Sequence, residues 1–172
     1  MTDQREVGER PARERLRGDG GGEPGPDRHR ILRELRGELA RHPAVRSVEG
    51  QPPEEYRELR ATVEPSWFGR PAATASLRVT WVPNPRLASG RTSDDWQRTS
   101  IRAYYTAHYS ESDGFDCGIH CEPNPHVDGL LHYQERAGDG YEYEPVSVGA
   151  RSVSGVLWEL LDGLADRLNE SE

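Results

Sequence analysis

The sequence contains no lysine, so all 22 of its basic residues are arginine. Asp and Glu together number 30, which gives a net charge of −8 at pH 7. An acidic surface without lysine is typical of proteins from a salt-rich cytoplasm, where salt screens like-charge repulsion and carboxylates keep the surface hydrated. A GC-rich genome, which favours arginine codons, explains the same composition equally well.

Cysteine and long apolar runs are also scarce. No stretch approaches the roughly 20 apolar residues that a membrane-spanning helix needs, and residues 1–27 lack the apolar run of a signal peptide. We therefore expect a cytoplasmic protein with no membrane contact. Two cysteines in a reducing compartment do not form a disulfide framework, so Cys117 and Cys121 are expected to be small core residues.

A chain of 172 residues is long enough for one domain with a hydrophobic core and too short for two well-buried ones. Residues 1–27 are rich in Arg, Glu, Gly and Pro and offer little apolar surface to offset the entropy of ordering. We predict a disordered tail over 1–27 and a single domain over 28–170.

Two segments carry apolar residues at helical spacing. The first, over 28–42, stops before Pro43, because a residue that precedes proline avoids the helical region. The second covers 153–169, with Ser152 or Ser154 as its N-cap.

Between the helices the apolar residues alternate with polar ones, as in half-buried antiparallel strands. This pattern predicts strands at 56–63, 76–82, 97–109, 115–122, 130–136 and 141–146, with 44–48 as a candidate for a further short one. We predict an α+β fold, in which a twisted antiparallel sheet of about five to six strands has one face covered by an N-terminal and a C-terminal helix.

Alternation also predicts which side chains lie on the other face of the sheet. In 115–122 the odd positions are apolar, so His120 and Glu122 point the opposite way. In the next strand Leu131 and Tyr133 are the better core pair, which leaves His132, Gln134 and Arg136 outside. Antiparallel neighbours share a face, so these polar residues are expected on one surface.

A register can be proposed for the two hairpins. If residues 110–114 form the loop, Tyr109 lies opposite Phe115, which places Tyr104 opposite His120 and Arg102 opposite Glu122. If Cys121 lies opposite Leu131, His120 also lies opposite His132. Arg60 and Arg78 would extend this surface.

These residue types can cleave RNA without a metal or other cofactor. The reaction needs a base for the 2′-hydroxyl, a cation for the charge on the phosphorane and an acid for the 5′-oxygen. Glu122 or one histidine would be the base, the other histidine the acid, and Tyr104 would stack a base or orient an oxygen. The residues predicted to bind the substrate are Arg102, Gln134, Arg136, Asn124 and His126.

Two other interpretations remain open. The same face could be an ordinary solvated surface or a non-catalytic binding module, and a net charge of −8 does not favour broad attraction to nucleic acid. A zinc site has the right residue types in Cys117, His120, Cys121, His126 and His132. However, the C-x₃-C spacing departs from the usual C-x₂-C, and alternation sends the cysteines and His120 to opposite faces.

The order of elements resembles that of the TumE-type proteins, small toxins of toxin–antitoxin pairs. The resemblance covers roughly 101–164 and depends on the segments HCEPNPH, HYQER, YEYEPV and VSGVLWELLDGL. It implies a protein that is encoded beside a DNA-binding antitoxin and acts on RNA inside the cell, and it singles out Asn124, His126 and His132. The chain departs from that family in lacking a tight Pro-His-His cluster and in its long N-terminal segment.

Overall fold

The structure is a computed structural model and describes residues 26–84 and 103–170, with side chains from Arg28 onward. The predicted tail, apart from its last two residues, lies outside the described residues, and so does Arg102. The start of the predicted strand 97–109 also falls outside them.

Two α-helices and seven strands make up the described chain. In chain order they are α1 (Pro26–Leu39), β1 (Val45–Gln51), β2 (Glu58–Val63), β3 (Ala75–Pro83), β4 (Ala103–Glu111), β5 (Asp116–Cys121), β6 (Leu131–Ala137), β7 (Gly140–Pro145) and α2 (Val153–Glu170). A short 3₁₀ helix, Pro65–Phe68, follows β2. The α+β class predicted from the sequence is confirmed.

Both helices form where the apolar spacing predicts them. Helix α1 begins two residues earlier than expected, at Pro26, where the missing N–H and fixed φ of proline suit the first helical turn. Helix α2 is capped by Ser152, whose Oγ accepts a hydrogen bond from Gly155 N at 3.1 Å. Within the described ranges, neither helix has the combination of length and apolar character that crossing a bilayer requires.

The strands form one antiparallel sheet in the order β1-β2-β3-β4-β5-β6-β7, so that every strand pairs with its neighbours in the sequence. The sequence predicted about five to six strands, and the seventh is β1. Its alternation is weak because Val48 and Gly50 are its only two fully buried residues and its register with β2 shifts between Val45 and Ser47.

Alternate residues of the strands define two faces. Strand residues such as Leu59, Leu77, Trp81, Tyr105 and Ile119 are buried in a single cluster with the apolar residues of both helices, and we call their side of the sheet the apolar face. At the centre of this cluster Trp81 stacks on Tyr105, its cross-strand partner, with ring centroids 4.6 Å apart. The intervening residues form the polar face, which carries Arg60, Arg78, His108, Asp116, Gly118, His120, His132, Gln134 and Tyr143.

The predicted register between β4 and β5 is wrong by two residues. Tyr109 lies opposite Cys117 rather than Phe115, so Thr106, not Tyr104, is the partner of His120. The cause is the turn: it comprises only residues 112–114, because Gly114 adopts a φ of +99° and Glu111 N already donates to Phe115 O at 2.8 Å. A shift of two residues preserves the face, so His120 stays on the polar side.

Candidate active site

A continuous chain of four side chains crosses the polar face. Oε1 of Glu122 lies 3.0 Å from Nδ1 of His120, and Nε2 of His120 lies 3.2 Å from Nδ1 of His108. Nε2 of His108 in turn lies 3.3 Å from Oδ1 of Asp116. Two imidazoles are thus joined to each other and bounded by a carboxylate at each end.

Gly118 makes the contact between the two histidines possible. It lies opposite His108 in the register and two residues before His120 on the same strand. A Cβ at this position would lie 2.7 Å from Nδ1 of His108 and 2.8 Å from Nε2 of His120. Any larger residue would therefore push the two rings apart.

Asp116 is held in place from the other side. Its Oδ2 accepts a hydrogen bond from Arg136 Nε at 2.7 Å, and its Oδ1 accepts one from Tyr141 OH at 2.8 Å. Burial alone would raise the pKa of Asp116, but these two hydrogen bonds and the nearby His108 and Arg136 bring the pKa below its ordinary value. The carboxylate is therefore ionised when it faces His108.

Counting protons limits the tautomers. Each of the three contacts in the chain needs one proton, whereas two neutral imidazoles carry two N–H groups between them. One contact must then lack a proton. A base at His108 requires the tautomer in which Nε2 of His108 is unprotonated beside Oδ1 of Asp116, while Nδ1 of His108 donates to His120 and His120 donates to Glu122.

Burial favours this neutral state of the two histidines. It is the main cause that lowers the pKa of His108, with repulsion from His120 adding to it and Asp116 opposing it. Burial likewise lowers the pKa of His120, against the hydrogen bond and charge of Glu122. Near neutral pH the pair is ready to accept a proton rather than to give one.

His132 is brought beside His120, as predicted, but both of its ring nitrogens are used within the protein. The two residues are cross-strand partners with ring centroids 5.7 Å apart. Nδ1 of His132 lies 3.1 Å from the carbonyl of Leu130, and Nε2 lies 3.1 Å from Nδ2 of Asn124. The side chain of Asn124 is oriented by His126 N, which donates to its Oδ1 at 2.9 Å, so His132 must carry its proton on Nδ1.

The loop between β5 and β6 lies over this part of the polar face. Besides the contact of Asn124 with His132, the ring of His126 stacks on Tyr143, with centroids 5.1 Å apart. His132 is 0% exposed and His120 is 6% exposed. The centre of the polar face is therefore buried rather than solvated, whereas the side chain of Glu122 remains 46% exposed.

The other residues predicted for the site are dispersed. Gln134 lies between Gly118 and Tyr143, next to the histidine chain. Arg136 is 46% exposed but is engaged with Asp116. Tyr104 lies opposite Val82 in the β3–β4 pairing, and Arg102 lies outside the described residues.

Cys117 faces away from the histidines and is fully buried, as expected of a small core residue. Burial raises the pKa of its thiol to about 12, so it resists forming the thiolate that a metal would require. Over the two described ranges, no group of three His, Cys, Asp or Glu side chains is arranged to hold a metal ion.

His108 and Asp116 belong to the site but were not predicted for it from the sequence. Both have even numbers and so share the parity of His120, which was a usable signal. In the observed β4–β5 register His108 lies opposite Gly118. The predicted five-residue loop gave a register two residues away from this one, so His108 was not recognised as a neighbour of His120.

No protein family matches the chain, and no curated protein or solved structure is significantly similar to it. These comparisons neither identify nor exclude a TumE-type toxin, so that resemblance stays a prediction.

Proposed function

We propose that the protein is a metal-independent endoribonuclease, a toxin-like enzyme whose reacting group is His108. The observation that carries the proposal is the His108–His120 contact, since it leaves an imidazole lone pair beside an ionised carboxylate on a face that also carries arginine. We further infer that the two helices cover the apolar face and leave the polar face for the substrate.

The reaction begins at Nε2 of His108. This nitrogen takes the proton of a ribose 2′-hydroxyl, the 2′-oxygen attacks phosphorus, and the P–O5′ bond breaks to leave a 2′,3′-cyclic phosphate. Once protonated, Nε2 of His108 donates to Oδ1 of Asp116, and the carboxylate stabilises the imidazolium. The carboxylate therefore faces the reacting nitrogen, whereas in a catalytic triad it binds the opposite nitrogen of the ring. The 5′-oxygen takes a proton from water, and the proton on His108 returns to solvent through His120 and the exposed Glu122.

The cation that this chemistry needs is supplied by Arg78, which lies directly opposite His108. His132, with both ring nitrogens engaged, becomes a residue that holds the β5–β6 loop rather than an acid. Net charge works against RNA binding, so affinity must depend on local arginines and on stacking. In keeping with the resemblance to TumE-type toxins, we propose a cytoplasmic protein that is restrained by a DNA-binding antitoxin.

A non-catalytic anion-binding module is the second candidate. It is favoured by one observation: every ring nitrogen of His108, His120 and His132 lies within 3.3 Å of another polar atom of the protein. In that case the histidine chain would fix the shape of the polar face, and replacing a histidine would weaken binding without abolishing any turnover.

The test is incubation of single-stranded RNA with purified protein in a chelator at high salt. We expect cleavage by the wild type, a loss of at least 100-fold in His108→Gln, as is usual when a catalytic base is removed, and little change in Arg41→Gln. The Arg41 variant is the control because its side chain is exposed and pairs with Glu38, away from the histidines. Intact RNA with the wild type, or equal cleavage by His108→Gln, would overturn the proposal.

A further inference from the structure

Three cationic or titratable side chains lie in one row across the polar face. Arg60 is the cross-strand partner of Arg78, and Arg78 is the cross-strand partner of His108. We call these three residues the cationic row. Like charges directly opposite each other on a sheet are destabilising, by a few tenths of a kcal/mol to about 1 kcal/mol. The row therefore needs an explanation.

The pocket beside the row is lined by hydrogen-bond donors. It has a volume of about 360 Å³ and is bounded by Arg60, Ser76, Leu77, Arg78, His108 and Ser110. Ser76 and Ser110 are themselves cross-strand partners, so their hydroxyls flank the row on one side. No carboxylate is among the lining residues, although the chain as a whole is acidic.

Acidic residues near the row leave most of its donors available. Glu58 accepts from Nε of Arg60 at 2.5 Å, which leaves the terminal guanidinium nitrogens for another partner, and Glu49 lies opposite Arg60 on β1. Within the described residues, the side chain of Arg78 makes no hydrogen bond or ion pair and is exposed. Two arginines and two serines thus line one open pocket.

We propose that the cationic row is an oxyanion subsite that binds one phosphate group of an RNA backbone. Guanidinium groups match the oxygens of a phosphate in a bidentate way, and serine hydroxyls donate to the same oxygens. A bound phosphate would relieve the repulsion between Arg60 and Arg78. The inference deepens the proposed function, because the phosphate held here would lie beside His108.

The charges around His108 agree with this assignment. Burial is the main cause that lowers the pKa of His108, and the positive charge of Arg78 adds to it. The same charge also contributes to lowering the pKa of His120. An anion bound at the row would offset that contribution, so the ring signals of His108 should report its binding.

The experiment is a titration with inorganic phosphate at constant ionic strength, followed by NMR of the histidine rings. In the wild type we expect a saturable shift of the His108 signals. The affinity for phosphate should be at least tenfold lower in Arg78→Gln and in Arg60→Gln. Arg41→Gln removes the same charge from the exposed turn after α1, where Arg41 pairs with Glu38, and is expected to bind like the wild type. Thermal unfolding of each variant establishes that it is folded.

The outcomes separate this inference from the proposed function. A shift that does not saturate, or that is unchanged in both row variants, overturns the subsite. RNA cleaved at the wild-type rate by Arg60→Gln also overturns it, while the nuclease proposal stands. The wild-type rate in Arg78→Gln would in addition remove the cation that the proposed reaction assigns to Arg78. Phosphate that binds as expected to a protein that leaves RNA intact supports the subsite and removes the nuclease.

Discussion

Nδ1 of His108 lies 3.2 Å from Nε2 of His120, and the two rings meet above a residue that has no side chain, Gly118. The contact joins two imidazoles from different strands into one unit. Its ends differ, since Asp116 is largely buried whereas Glu122 is about half exposed. In the proposed mechanism, a proton taken up near Asp116 therefore leaves at Glu122.

Gly118→Ala tests whether the contact matters. Its methyl group would lie under 3 Å from both ring nitrogens, so the rings must separate, at a cost of about 1–3 kcal/mol in the free energy of unfolding. We expect RNA cleavage to be lost and the histidine ring signals to change in NMR spectra. Gly140→Ala is the control, because a Cβ there meets nothing within 4 Å. Wild-type cleavage by Gly118→Ala would contradict the proposed role of the pair.

Stability should fall as the pH is lowered from 7 to 5. The pKa values of His108, His120 and the buried His42 lie below their unfolded value of 6.5, so below that pH the unfolded chain binds protons that the folded protein does not. Each of the three histidines contributes up to about 1.4 kcal/mol per pH unit to the slope of the free energy of unfolding against pH. Their contribution to stability is complete above pH 6.5 and is lost as the pH falls below that value.

Urea unfolding at several pH values and constant high salt measures this slope, with surface repulsion screened. In His108→Gln the dependence of the free energy of unfolding on pH should be smaller than in the wild type. A free energy of unfolding that stays constant or rises between pH 7 and 5 would show that these histidines are not buried in the neutral form.

Glu122→Gln should lower the pKa of His120 further. The hydrogen bond and the charge of Glu122 are the two contributions that raise this pKa against burial, and the substitution removes the charge. Proton chemical shifts of the His120 ring, followed through a pH titration, measure the change. If the protein cleaves RNA, the acidic limb of its pH–rate profile should move to lower pH in the variant. A rise in the pKa of His120 would refute the tautomers that a base at His108 requires.

Asn124→Ala should destabilise the protein by about 1–3 kcal/mol, because it leaves Nε2 of the fully buried His132 without a donor. Urea unfolding measures the loss. His126→Ala, which removes a ring stacked on Tyr143 in the exposed part of the same loop, is expected to cost less. Equal stability of wild type and Asn124→Ala would mean that the β5–β6 loop does not depend on His132.

Much of the fold could be predicted from the sequence because side-chain parity survives errors in register. His120 and His132 are cross-strand partners, as the pairing of Cys121 with Leu131 predicts. The predicted β4–β5 register differs by two residues from the observed one. Every residue therefore stays on its predicted face, but the prediction did not bring His108 next to His120. Burial of His132 could not be predicted either, since it depends on a loop that folds back over the sheet through Asn124.

Base catalysis by His108 is tested most directly by the chemistry of the RNA ends. Two oligonucleotides of one sequence, one all ribose and one all deoxyribose, are incubated with the protein in chelator, and the products are identified by mass spectrometry. We predict that only the ribose form is cut, that it ends in a 2′,3′-cyclic phosphate, and that His108→Gln leaves it uncut. Equal cleavage of both oligonucleotides, or of neither, would contradict base catalysis by His108.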